Sequence, residues 1–224
     1  MTEFVAEDIL AAWAAGLAGA AAVVAVWRIV GPGFLWLAAF TAALFGLPAL
    51  FIDPGVPPAV GAIALVAAAV GAKHPTRAAV AFAVACASFL TAASGSGVLG
   101  AITAAIFLGG ISSEMILGHW YLVDPRLPRW VLFRLDTAAM VGLGAEVVLM
   151  TGLGVLRWAS EDAVLGWAFV LMAIATGTLL LAVRFSLKEI GYPAVMAATG
   201  LSYLAMLTAV GTSVVGRIVL EGAG

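Results

Sequence analysis

Two carboxylates stand where a membrane would leave them no water. Glu146 lies in the run "VLFRLDTAAMVGLGAEVVLMTGL", and Glu114 lies in "AITAAIFLGGISSEMILGHW". A charge at membrane depth costs roughly 2.5–3.5 kcal/mol on insertion scales, so such a side chain faces the bundle interior, pairs, or stays protonated. Glu146 has no basic residue within a helical turn of it in sequence. It is therefore expected to be protonated near neutral pH or paired with a polar group of another span. The chemistry open to it is binding of a proton, a small cation or a quinone head. The structural alternative is a hydrogen bond across helices, to Ser112, Thr176, Thr178 or Tyr203. Glu114 falls about one turn from the end of its run, where its long stem would let it snorkel toward Arg134 or His119. Asp136 follows Arg134 in the first turn of its run, where a carboxylate complements the helix dipole.

His119 joins Glu146 and Glu114 as a candidate quinone or proton site, because it sits beside Trp120 and Tyr121 at the edge of a run. His74 precedes a proline in a basic turn and reads as solvated surface. Both histidines lie at loop edges rather than inside a span, so no haem is expected. No cofactor is expected to be covalently bound, and a quinone or a lipid is the ligand class the sequence allows. Polar chemistry is densest in "GHWYLVDPRLPRWVLFRLD", residues 118–136. Its Trp and Tyr residues fit an interfacial aromatic belt, shared with Trp27, Trp36 and Tyr192. Pro125 and Pro128 stiffen the link, and Arg126 and Arg129 suit anionic headgroups or a partner's carboxylates. Trp120, Tyr121, Arg126, Arg129 and Trp130 are thus the expected partner-docking residues, of types enriched at interface hot spots.

The elements that must hold these groups are apolar helices. Of the 224 residues 64% are hydrophobic and 10% charged, far from the balance of a soluble domain. The sequence therefore predicts an all-α, polytopic integral membrane bundle forming one domain over residues 1–224. Eight apolar runs are near the roughly 20 residues a crossing needs, at about 9–30, 33–52, 57–72, 77–94, 97–118, 131–156, 163–184 and 191–219. Breaks at "GPG" (31–33), "DPGVPP" (53–58) and "GSG" (95–97) separate the early runs. The third run is short, so seven spans with a re-entrant segment is the alternative. The segment "MTEFVAEDIL" has no basic residue, so the first run is expected to remain rather than be cleaved as a signal peptide.

With eight spans, eight of the ten basic residues fall on one side: Arg28, Lys73, Arg77, Arg126, Arg129, Arg134, Arg184 and Lys188. Arg157 and Arg217 fall on the other, with Glu3, Glu7, Asp8, Asp53, Glu161, Asp162 and Glu221. The positive-inside rule then places both termini outside a bacterial cytoplasmic (inner) membrane. Small-xxx-small pairs such as Gly16 with Ala20 and Gly109 with Ser113 suit close helix packing.

The sequence has no phosphate-binding Gly-rich loop with its lysine, no HExxH, no nucleophile elbow and a single cysteine, Cys86, which rules out a cysteine-built metal site within the chain. No arginine row suggests a voltage sensor, no basic patch suggests nucleic acid, and Lys188 is too near an interface for a retinal Schiff base. The expected function is a non-catalytic membrane subunit of a larger bacterial complex, linked to electron transfer or quinone. Its partners would be membrane lipids and the other subunits, docked on the aromatic-basic face. The competing expectation is a transporter of protons, small cations or a lipid-like solute that uses Glu146 and Glu114. A lipid-acting enzyme with His119 and Asp124 as acid and base ranks last, having neither metal partners nor a nucleophile.

Overall fold

The computed structural model describes residues 2–153 and 163–221. Arg157, Glu161 and Asp162 lie outside the described residues. Among the described residues eight long helices follow in order: α1 (Thr2–Trp27), α2 (Pro32–Ile52), α3 (Val56–Val70), α4 (Pro75–Ala92), α5 (Val98–Trp120), α6 (Trp130–Leu153), α7 (Ala163–Lys188) and α8 (Tyr192–Glu221). No strand occurs among the described residues. Seven helices are long and apolar enough to cross a membrane, which marks the chain as a membrane-spanning helical bundle.

The expected weak point was the third run, but Val56–Lys73 is one of the seven, because a short 3-10 turn at Gly71–Lys73 extends α3. The helix missing from the seven is α6, which carries Arg134, Asp136 and Glu146. Helix starts follow local chemistry. Pro32 opens α2 and Pro75 opens α4, at positions where the missing N–H has no intrahelical partner to lose.

Helix α5 organises the bundle. In its most apolar stretch 72% of the residues are buried, against 22–33% in those of α2, α3, α4, α7 and α8. Glycines on both sides of its contacts explain how three helices reach it. Gly16 of α1 lies against the Ala105 carbonyl and Gly109, where a methyl group would have no room. Gly110 abuts the Ala139 backbone of α6, and Gly142 abuts the Phe107 backbone. These small residues bring backbones together as in other membrane helix pairs.

The contacts also fix register. Gly110 meets Ala139, Phe107 meets Gly142, and Thr103 meets Glu146, so α5 and α6 run antiparallel in step. Continuing that register puts Glu114 level with Leu135 and Asp136. Helix α8 keeps an equally regular antiparallel register on α5, with Gly100 beside Arg217, Ser112 beside Met206, Glu114 beside Ser202 and Gly118 beside Thr199.

The two ends of the bundle differ in charge. Glu7 interacts with Asp53 and Asp8 at one end, near the turn at Gly95. At the other end Arg28 donates to Thr76, Trp27 meets Trp130 edge-on at 4.9 Å, and Tyr121 lies 6.3 Å from Tyr192. The fold therefore gathers most of the described basic residues and most of the expected aromatic belt at one end.

Candidate functional site: two buried charge clusters on one helix seam

Polar side chains are few in this core, and they concentrate where α5, α6 and α8 meet. At the acidic end of the seam sits Glu146, fully buried. Arg217 of α8 donates to its Oε1 at 2.5 Å, and Ser213 donates to the same oxygen at 3.3 Å. Thr103 of α5 donates to Oε2 at 2.5 Å. Arg217, 5% exposed, also donates to the Ser213 carbonyl at 3.1 Å and to the Gly100 carbonyl at 3.0 Å. One negative and one positive charge face each other, and both carboxylate oxygens have donors.

Arg217, expected among the outer-side charges, sits at the acidic end of the bundle and is buried in the seam. Helix α8 runs 30 residues, so Arg217 lies within it and its guanidinium turns inward. This pairing also identifies Glu146's partner on a neighbouring span as an arginine, in addition to hydroxyls. Ser112, one of the hydroxyls considered for Glu146, instead accepts from the Trp13 indole at 2.7 Å and donates to the Leu108 carbonyl. Thr176, another, donates to Thr208 at 2.8 Å.

Toward the basic end lies a second cluster. Glu114 is 2% exposed and accepts a hydrogen bond from Ser202 on Oε2. It does not reach Arg134 or His119, because its face of α5 is turned to α8 rather than to the interface. Asp136, 1% exposed, accepts from Arg184 of α7 at 2.8 Å on Oδ2. Its role is thus an interhelical ion pair rather than only the helix-start carboxylate expected. Arg184 donates as well to Thr137 at 2.9 Å. Glu114 Oε1 and Asp136 Oδ1 are both buried and neither has a hydrogen-bond partner. The register of α5 on α6 sets the two residues at one level. Asp136 pairs with the Arg184 guanidinium, while Glu114 is bonded by Ser202.

The remaining expected residues lie apart from this seam. His119 is exposed at the basic end. Trp120 is half-buried, edge-on to Phe34 at 5.9 Å and packed over Gly33. Tyr121 is buried. Arg129 is held within the chain: it donates to the Glu189 carbonyl at 2.5 Å and to the Gly191 carbonyl at 2.5 Å, tying the 119–130 link to the α7–α8 turn. Gly191 takes φ +116° there, a conformation suited to glycine. Arg126 is free to reach out, its side chain 92% exposed with only Asp124 at 3.4 Å, and Trp130 is exposed. Among the described residues no group of three or more His, Cys, Asp or Glu side chains is placed to hold a metal ion.

No family model matches the chain, and neither a curated protein nor a solved structure is significantly similar to it.

Proposed function

We propose that the chain is a membrane-embedded carrier of protons or of a small monovalent cation, and that Glu114 is the group that takes up and releases the transported charge. The observation that carries this reading is the unequal charge of the second cluster. Two buried carboxylates lie at one level of the seam, the guanidinium of Arg184 pairs with Asp136 and not with Glu114, and one oxygen of each carboxylate is without a donor. A neutral interior then requires a proton on Glu114 or a small cation between Glu114 Oε1 and Asp136 Oδ1, since an extra buried charge costs roughly 2.5–3.5 kcal/mol. Taking up that charge neutralises the seam and releasing it restores the carboxylate. Hydroxyls of Thr199 and Ser202 lie toward the basic end, and Ser112, Ser213 and Thr103 continue the polar line toward the acidic end. Phe107, Ala205 and Ala209, all fully buried, interrupt that line between the clusters. The density of basic residues at one end favours a bacterial cytoplasmic membrane with that end inward.

The test is flux into proteoliposomes holding a pH-sensitive dye, under a proton, Na⁺ or K⁺ gradient. The wild-type chain should dissipate one of these gradients. Glu114→Gln should abolish that flux without loss of expression, while His119→Gln, at an exposed position, should keep it. A wild-type chain that moves none of the three ions, or a Glu114→Gln chain as active as wild type, refutes the reading.

A second reading, a non-catalytic subunit of an electron-transfer or quinone-linked complex, draws on a different region. The link at 121–130 is rigidly tied down by Arg129, yet it presents Val123 at 67% exposure beside Arg126, and Ile190 stands 98% exposed nearby. On this reading, Arg126→Glu with Val123→Asp releases partners that co-purify from native membranes in mild detergent. A chain that purifies alone and remains active removes it.

A further inference from the structure

A groove of about 660 Å³ opens on the side of the bundle. Its floor is the close pair α1–α5, where Gly16, Gly19 and Gly110 keep it deep, and its walls are α4 and α6. The rim residues Val23, Ile106 and Val141 are exposed, so the groove faces outward, toward the lipid. The lining is apolar along almost all its length, and Arg134 stands at one end beside Trp27. Arg134 lies over the Trp130 ring at 4.9 Å and the Trp27 ring at 5.7 Å. Arg134 itself is exposed. Among the described residues nothing accepts a hydrogen bond from Arg134, and no carboxylate pairs with it. Arg129, Arg184 and Arg217 each have an acceptor in the bundle.

Length decides the class of ligand. From Trp27 to Ala15 the groove follows twelve residues of α1, or about 18 Å at 1.5 Å per residue. One leaflet of a bilayer has a hydrocarbon depth of about 15 Å, half of roughly 30 Å. The cationic end lies at the level of the aromatic belt, where headgroups sit. A compact anion would leave the apolar length unfilled, and a neutral lipid would leave Arg134 without a counter-charge.

We propose that this groove holds one acyl chain of an anionic phospholipid from the leaflet at the basic end, with its phosphate hydrogen-bonded to Arg134. The inference stands apart from the carrier reading, since none of Glu114, Asp136, Arg184, Glu146 and Arg217 lines the groove.

The test uses the full chain in nanodiscs and in mild detergent, with phosphatidylglycerol and phosphatidylcholine as probes. Native mass spectrometry should show one phosphatidylglycerol retained in preference to phosphatidylcholine by about fivefold, the worth of one arginine against an anionic headgroup. Arg134→Gln should erase the preference, and Val141→Trp, which fills the groove from its rim, should lose the bound lipid. Cys86 lines the groove and is the chain's single cysteine, so it reports occupancy directly. Its alkylation by a membrane-soluble maleimide should be several-fold slower in phosphatidylglycerol than in phosphatidylcholine, and Arg134→Gln should remove the difference. Equal retention of the two lipids, a preference that survives Arg134→Gln, or a lipid-free dimer with the groove closed by a second copy would each overturn the proposal.

Discussion

The two charge clusters sit on the same helices but are finished differently. Around Glu146 the charges balance one to one, and Thr103, Ser213 and Arg217 supply donors to both carboxylate oxygens. Around Glu114 the balance is two to one, and Glu114 Oε1 and Asp136 Oδ1 are left without donors. A buried ion pair with full hydrogen bonding is a fixed joint, because removing either partner strands the other. A cluster short of one positive charge has two states, with and without an added cation or proton. The same core thus holds a closed pair and, on the carrier proposal, a site that changes its charge, and the residue types alone do not tell them apart.

The difference can be broken from the side of the closed pair first. Arg217→Met should cost about 3–5 kcal/mol, the penalty of leaving Glu146 buried and unpaired. Thermal unfolding in detergent would show it, and the double change with Glu146→Leu should recover most of the loss. A small effect for Arg217→Met would mean that Glu146 is already neutral and the pair is no fixed joint. Next in size is Gly142→Ala, whose methyl would meet the Phe107 backbone at 2.5 Å. It should destabilise by about 1–3 kcal/mol through overpacking and disturb the register that brings Thr103 to Glu146. By contrast, Gly144 has nothing within 4 Å of an added methyl, so Gly144→Ala should be neutral or slightly stabilising.

The second cluster should respond more weakly in stability. Ser202→Ala removes the hydroxyl that bonds Glu114 and should cost about 0.5–1.5 kcal/mol, read from the denaturation midpoint. Glu114→Gln should change stability least of all, because it removes the unbalanced charge while keeping the shape. Its effect belongs in the flux assay. A large stability loss from Glu114→Gln would make this cluster a second fixed joint and end the comparison.

Much of this was legible in the chain, in proportion to how local the signal is. The eight helices follow from apolar runs punctuated by Pro32, Pro57 and Pro75, and Glu114 and Glu146 stand out because charges are rare. The partners were not legible. Arg217 closes on Glu146 from 71 residues away, and its place near the end of the last run made it look like a loop residue. Its one local clue was Ser213, a turn earlier on the same face. Arg184 was read as part of a basic loop for the same reason, although its guanidinium returns to Asp136. The link at 119–130 misled in the opposite sense. Its residues look free because the carbonyls of Glu189 and Gly191 that hold Arg129 carry no side-chain signature.

The span of the Glu146–Arg217 pair also sets an order of events during synthesis. Glu146 enters the membrane on the sixth helix, and its guanidinium partner is 71 residues further along the chain. At about 5–20 residues per second, a ribosome needs roughly 4–14 s to deliver Arg217. Through that interval Glu146 lacks Ser213 and Arg217, and only Thr103 of its partners has been made. Chains stopped before the eighth helix keep that defect permanently. The last helix is therefore the one that completes the partner set of the sixth.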